Sequence, residues 1–213
     1  MGSRIKYPRT PHLPWSPGGT DDDRRLADCS HFEGKKVVIT EKMDGENTTL
    51  YPFGLHARSV NSADHPSRAW VKALHGQIAH EIPEGWRICG ENLYAKHSIH
   101  YANLPSYFLV FSIWNEENVC LSWDETVEWS HLLGLQTVPV LWEGLWSEKA
   151  VRAFWEASGG SSEGREGYVV RLADSFPFDR FPVALAKWVR PRHVQTDDHW
   201  MHSAVIPNKL ANS

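Results

Sequence analysis

Thr40-Glu41-Lys42-Met43-Asp44-Gly45 places a lysine, a spacer, an aspartate and a glycine directly after the apolar run Val37-Val38-Ile39. A lysine amine is a nucleophile only once it sheds its proton, so burial or a neighbouring cation has to lower its pKa. A strand-to-loop position beside a bound metal and a phosphate chain would meet that need. Asp44 could accept a sugar hydroxyl or orient the lysine, and Gly45 would let the backbone turn close to a ligand. Alone, the pattern is weak. At average residue usage roughly one chain in twenty of this length contains it by chance. Asp-Gly is also a strong hairpin signal, so a surface turn is the plain alternative.

Four further stretches carry chemistry of the same kind. Gly90-Glu91 closes the run Trp86-Arg87-Ile88-Cys89 and puts an acid at a strand end, where it could hold a hydroxyl or simply face water. Phe108-Leu109-Val110-Phe111 reads as a buried strand whose phenylalanines are core, with one free to stack on a purine. Glu166-Gly167-Tyr168-Val169-Val170-Arg171 joins an acid and a glycine to a strand. In Val183-Ala184-Leu185-Ala186-Lys187-Trp188-Val189-Arg190 a lone lysine enters an apolar strand, and a buried lysine calls for an anion. The group Lys187, Arg190, Arg192 and His193, with Trp188 among the charges, is either a solvated edge or a phosphate-facing patch. His97 and His100, like His199 and His202, read as loop or substrate-contact histidines, because a metal would need further ligands.

The elements that must position these residues can be read from periodicity and punctuation. Helices are expected near 66–80, with Asp64 as cap, near 123–133, opened by the capping box Ser122-x-x-Glu125 and closed by Gly134, and near 148–157, between Ser147 and Gly159-Gly160. Strands are expected at 35–42, 50–60, 87–94, 107–114, 136–142, 166–172 and 183–190. Seven strands with three interspersed helices indicate an α+β fold of mainly antiparallel sheets. Residues 1–34, rich in Pro, Gly and Asp, read as an extended segment packing on the domain. Residues 35–195 form the domain itself, and 196–213 are a short tail that could fold back or form a helix. Ser158-Gly159-Gly160-Ser161-Ser162 reads as a loop.

At 213 residues the chain is one domain with short appendages, and 41% hydrophobic content is enough for its core. Most of the eleven tryptophans are expected to be core or interface filler. A formal charge of -4 argues against a non-specific nucleic-acid coat protein but leaves room for a local basic groove. Cys29, Cys89 and Cys120 are odd in number and lack CxxC spacing, so neither a disulfide framework nor a zinc site is indicated. With no membrane-length apolar run and no signal-peptide start, a reducing, cytoplasmic protein is expected.

In order and spacing, these motifs resemble those of the covalent nucleotidyltransferase superfamily of ATP-dependent ligases and capping enzymes, and most of all the phage-type RNA ligase 2 family. The resemblance runs from Thr40 to Arg190. It implies an ATP-grasp-like ligase domain with helices flanking the sheets around an ATP cleft, and Lys42 as the residue that becomes adenylated. It makes Glu41 a neighbour of the adenine, with Thr40 also in the nucleotide-binding set. Asn47 and Arg58 lie near the phosphates and the RNA end, Glu91 holds the ribose, Phe111 stacks on adenine and Val169 lines its pocket. Glu166 is the acid linked to Mg2+ (or Mn2+), and Lys187 binds the α-phosphate of ATP. The expected partners are RNA ends or a nicked RNA duplex, with no membrane.

Two departures from the family pattern stand out. Its last motif carries two lysines, whereas here Lys187 stands alone, with Arg190 as the candidate for the second charge or the alignment offset by a residue. Relatives also carry a further RNA-binding domain for which this chain has only a short tail, so a separate RNA-binding or end-healing partner is expected. A non-catalytic RNA-binding module, a capping guanylyltransferase and a DNA ligase are the alternatives.

Overall fold

The computed structural model describes residues 3–19, 23–160, 164–191 and 205–211. Its strands are β1 (Lys36–Lys42), β2 (Glu46–Tyr51), β3 (Gly54–Ala57), β4 (Arg87–Asn92), β5 (Phe108–Trp114), β6 (Val119–Cys120), β7 (Gln136–Thr137), β8 (Val140–Leu145), β9 (Gly167–Leu172), β10 (Phe176–Pro177) and β11 (Leu185–Val189). Its helices are α1 (Ala69–Ile78), α2 (Trp123–Leu132), α3 (Glu148–Ala157) and the single turn α4 (Phe181–Ala184). Four strands form one sheet in the order β11-β9-β1-β8. Seven form the other, β10-β6-β5-β4-β2-β3 with β7 beside β5. Every pairing between these strands is antiparallel except β5 with β7. This is an α+β fold of two sheets and four helices.

The apolar run in β1 has a direct structural reason. Val37 and Ile39 face a core shared with Trp155, Tyr168 and Trp188, while Val38 faces the opposite way onto Met43, Leu93, Leu109 and Val138. A strand buried on both faces loses the alternation of a half-exposed one. The second of these clusters joins the two sheets, and the cleft described below opens between them. On the far side of the larger sheet, Leu50, Ile88, Phe108 and Val110 pack against Val71 and Ile78 of α1.

The helix signals correspond closely to the structure. Ser122 caps α2 in a reciprocal capping box with Glu125, and Ser147 accepts from the backbone N–H of Ala150 at the start of α3. Gly134 and Gly159 follow α2 and α3 with φ of +67°, a region open to glycine at little cost. Three expectations need correction. His65, not Asp64, supplies the cap before α1, and its ring accepts from the Ser67 N–H; Asp64 instead pairs with Lys72. The strand expected at 50–60 is two strands, β2 and β3, folded about a tight turn at Pro52-Phe53. The strand at 136–142 divides between sheets, β7 joining β5 and β8 joining β1. In both places continuous β propensity concealed a change of partner, which short-range pattern does not encode.

Trp114, Trp123, Trp155 and Trp188 are buried, and six more tryptophans pack half-buried against the cores. Trp200 lies outside the described residues. No helix among the described residues is long and apolar enough to cross a membrane.

Candidate active site

Between the two sheets lies a cavity of about 720 Å³. Thr40, Glu41 and Lys42 of β1, Val169 of β9 and Lys187 of β11 line one wall; Asn47, Glu91 and Phe111 of the larger sheet line the other. Asp44 and Gly45 lie where the chain crosses between the sheets, and Arg58 follows β3 at the rim.

Strand register explains why the two lysines meet. Thr40 pairs with Val169, and Val169 with Lys187, so these three share a row; Lys42, Gly167 and Val189 form the next row of that face. Lys42 and Lys187 thus project from one face of one sheet. The same register sets Glu166, just before β9, beside Lys42, with its Oε1 2.6 Å from Nζ. Gly167 permits the close pairing of β9 with β11, because a Cβ there would sit 1.9 Å from the Trp188 carbonyl oxygen.

The charge state of Lys42 differs from the expectation that its surroundings lower its pKa. Burial does push the pKa down, but the carboxylates of Glu166, Glu91 and Asp44 outweigh it, and the net direction is upward. Lys42 therefore rests as an ammonium. For Lys187 the balance runs the other way. Burial, with repulsion from Lys42 and Arg58, exceeds the pull of Asp23 and Glu166, and its pKa falls.

Asp44-Gly45 is not a hairpin turn, since β1 and β2 belong to different sheets. Asp44 is 5% exposed, and its Oδ2 accepts from the N–H and the hydroxyl of Ser98 and from the N–H of Ile99. Its own N–H donates to the Tyr101 hydroxyl at 2.9 Å. Asp44 thus fixes the loop 98–101 against the lysine, a role that short-range pattern did not reveal. Gly45 has space for no side chain: a Cβ would meet the Asn92 carbonyl oxygen at 2.5 Å, and its N–H donates to Glu91 Oε1 at 3.1 Å. Burial raises the pKa of Glu91 to about 8, with Lys42 and the Gly45 N–H opposing and Glu166 and Asp44 adding to the rise.

Phe111 is half-buried, with Tyr7 from the N-terminal segment packed edge-on against it at 5.1 Å. Two of the expected residues do not line the cavity. Glu166 is fully buried behind Lys42, and Arg190 lies past the end of β11, its backbone N–H donating to the Glu166 carbonyl. Arg192, His193, His199 and His202 lie outside the described residues, as do Ser161, Ser162 and most of the tail. His97 lines the cavity, and His100 is exposed. Among the described residues there is no cluster of three or more His, Cys, Asp or Glu side chains able to hold a metal by themselves.

Sequence pattern missed several residues at the site. Arg68 and Glu46 form a buried ion pair on the cavity wall; Glu46 directly follows Gly45 and was the available signal. Arg171 is 2% exposed and ties the sheets together by donating to the carbonyls of Leu121 and Phe111. Tyr7, Arg9 and Thr10 bring the N-terminal segment to the cavity, and only the tertiary fold reveals this.

A family model described as RNA ligase matches residues 35–189. No curated protein matches the chain by sequence. Among solved structures, an archaeal ATP-dependent RNA ligase superposes with a TM-score of 0.59 at 18% identity, over 86% of this chain and 48% of that one. A variant of Naegleria gruberi RNA ligase with ATP and Mn gives 0.51 at 19% identity, over 76% of this chain and 52% of that one. A chain from Aquifex aeolicus described as an ATP-dependent DNA ligase gives 0.51 at 23%, over 74% and 44%. At these identities the structures establish the shared fold, and this chain spans about half the length of each. The family model covers most of the chain and includes every strand placed around the cleft: this protein belongs to the RNA ligase family, within the covalent nucleotidyltransferase superfamily.

Proposed function

We propose that this chain is the adenylyltransferase unit of an ATP-dependent RNA ligase, with Lys42 as its nucleophile. The observation that carries this reading is the pair Lys42 and Lys187 on one face of one sheet, opposite Glu91 and Phe111 across a single cavity. Adenine stacks on Phe111 with Val169, Thr40 and Glu41 around it, and the ribose hydroxyls reach Glu91. The α-phosphate lies between Lys42 and Lys187, with Arg58 and Asn47 toward the outgoing phosphates and the RNA end.

The Lys42 ammonium must first lose a proton, and the Glu166 carboxylate, 2.6 Å away, is placed to take it. The amine then forms a nitrogen–phosphorus bond at the α-phosphate as the bond to the bridging oxygen breaks and pyrophosphate leaves. The 5′-phosphate of an RNA strand next takes the AMP from Lys42, and a 3′-hydroxyl displaces AMP to close the phosphodiester. Lys187 and Arg58 stabilise the charge that develops on the phosphate oxygens.

Glu166 carries the hard oxygen donors that magnesium or manganese takes. Among the described residues no cluster of three or more metal-ligating side chains is present, and Glu166, beside Lys42, is the residue that would hold such an ion. When bound, the ion neutralises phosphate charge. RNA ends or a nicked RNA duplex are the proposed substrates, with a separate RNA-binding or end-healing protein as a proposed partner.

The test is incubation with ATP labelled at the α-phosphate and a divalent cation, followed by a denaturing gel. Wild type should retain label and Lys42→Ala should lose it. Label that persists in the variant would sink the assignment. Preference for labelled GTP would favour a capping guanylyltransferase. The lone lysine of β11 favours a second reading, a binding module without chemistry, and an unlabelled wild type with intact RNA affinity would support it.

A further inference from the structure

The phosphate-facing lysine of β11 is held from behind by the N-terminal segment. The Lys187 N–H donates to the Pro11 carbonyl and its carbonyl accepts from the Leu13 N–H, both at 2.8 Å, so residues 11–13 extend the sheet past β11. Residues 24–26 lie along the outer side of that segment: the His12 N–H donates to Arg24 and the Leu26 N–H to His12, at 2.7 and 2.8 Å. This double layer brings Asp23 to Lys187, with Oδ1 3.6 Å from Nζ. Its other oxygen lies 3.4 Å from Nε2 of His12, which is 1% exposed. Ser16 closes the circuit. Its Oγ accepts from the Val189 N–H at 3.0 Å and lies 2.8 Å from His12 Nδ1. A hydroxyl already accepting from Val189 has its proton available for Nδ1, which leaves Nε2 as the N–H side facing Asp23. Burial lowers the His12 pKa to about 4, so the ring is neutral near pH 7.

We propose that Asp23 is a positioning residue that holds the Lys187 ammonium at the phosphate-binding end of the cleft, making the N-terminal segment a built part of the site. None of the recognised motifs contains Asp23, His12 or Ser16. The proposal rests on the adenylation reading for its consequence but on the contacts above for its geometry. Among the described residues, four charges bear most strongly on Lys187. Lys42 of β1 and Arg58 after β3 repel it, while Glu166 before β9 and Asp23 attract it; His12 beside it is neutral. Without Asp23, burial and two cations act against one carboxylate, and the ammonium releases its proton at lower pH.

The experiment uses the full chain with Asp23→Asn and, as conservative rescue, Asp23→Glu. The Lys187 side chain is titrated by carbon NMR at Cε, its signal assigned with Lys187→Arg, and lysyl-AMP formation is followed against pH. Asp23→Asn should lower the Lys187 midpoint by about one pH unit, the usual size for loss of an adjacent opposite charge. The alkaline limb of adenylation should move with it, the KM for ATP should rise above that limb, and Asp23→Glu should restore most of both. An unchanged Lys187 midpoint overturns the proposal. So does a KM for ATP that falls in Asp23→Asn, which would make Asp23 a competitor of the phosphate. Should Asp23→Asn not fold, Asp23→Ser is read the same way. A wild type that forms no adduct defeats the adenylation reading alone, because the NMR titration still decides the role of Asp23.

Discussion

Asn208→Ala is expected to loosen the surroundings of Lys42, the proposed nucleophile, from the opposite end of the chain. Asn208 is 1% exposed and its side chain bonds to the loop after β4 at three points. Its Oδ1 accepts from the Tyr101 N–H at 2.9 Å, and its Nδ2 donates to the carbonyls of Leu93 at 2.8 Å and Ala95 at 3.4 Å. The same loop presents Ser98, Ile99 and Tyr101 to Asp44. Truncation to alanine leaves the Tyr101 N–H and the Leu93 carbonyl buried without those partners. At about 1–3 kcal/mol per orphaned group, with some relief by water, the loss should be about 2–4 kcal/mol. For a chain of this size each kcal/mol moves Tm by roughly 2–4 °C, so a fall of roughly 5–12 °C is expected. Tryptophan fluorescence melts give that number, and hydrogen exchange should rise at Ser98 and Ile99 specifically. Lysyl-AMP formation should slow severalfold, because Asp44 would then sit on a looser loop. An unshifted melt would refute the energetic reasoning. A lowered Tm with unchanged exchange at Ser98 and Ile99 would refute the link from the tail to Asp44.

Arg68→Met leaves Glu46 buried beside the cleft without its guanidinium and should cost about 3–5 kcal/mol in urea unfolding. Adding Glu46→Leu should recover most of that loss; a double variant as unstable as the single would show that the charge was not the cause. Glu91→Gln should gain stability relative to wild type as pH rises. Folded Glu91 keeps its proton to about 8 whereas the ordinary value is 4.5, so between those values the folded state binds more protons and wild-type stability falls with rising pH. Glutamine retains an oxygen for the Gly45 N–H and does not ionise. Urea midpoints of wild type and variant that stay parallel from about pH 5 to 8 would contradict the assignment.

The parts of this site legible in the sequence are those that strands and caps specify locally. Lys42, Glu91, Phe111 and Lys187 lie on strands whose apolar patterns are strong, so element and position could be read together. Ser122 and Ser147 cap their helices because capping is a contact within one turn. Asp44-Gly45 was harder, since the pair is compatible both with a hairpin and with a crossing between sheets. The pairing of β1 and β2 into different sheets decides for the crossing, and the Asn92 carbonyl that excludes a side chain at Gly45 is far away in sequence. Asp23, Arg68 and Asn208 were not legible for the same reason. Each works through a partner more than twenty residues distant, and nothing in the adjoining residue types marks it.

The two lysines show how one fold can give identical side chains opposite tendencies. Burial lowers the pKa of both; what separates them is the sign of the charges each strand position faces. Lys42, next to Gly167 in the sheet, receives Glu166 at contact distance with Glu91 and Asp44 nearby, and is held as an ammonium. Lys187, one row along, faces Lys42 and Arg58 and depends on Asp23 for its nearest compensation. On the proposed reading, the nucleophile is thus parked in its protonated form, and the phosphate-binding lysine sits where an added anion relieves repulsion. An arriving phosphate chain placed between them would favour the cationic form of both lysines. The proton on Lys42 then has one short route out, along its contact with Glu166. Sliding β9 by two residues against β1 would keep every apolar side chain on its face and still separate Glu166 from Lys42, so the register of this one strand pair carries the chemistry.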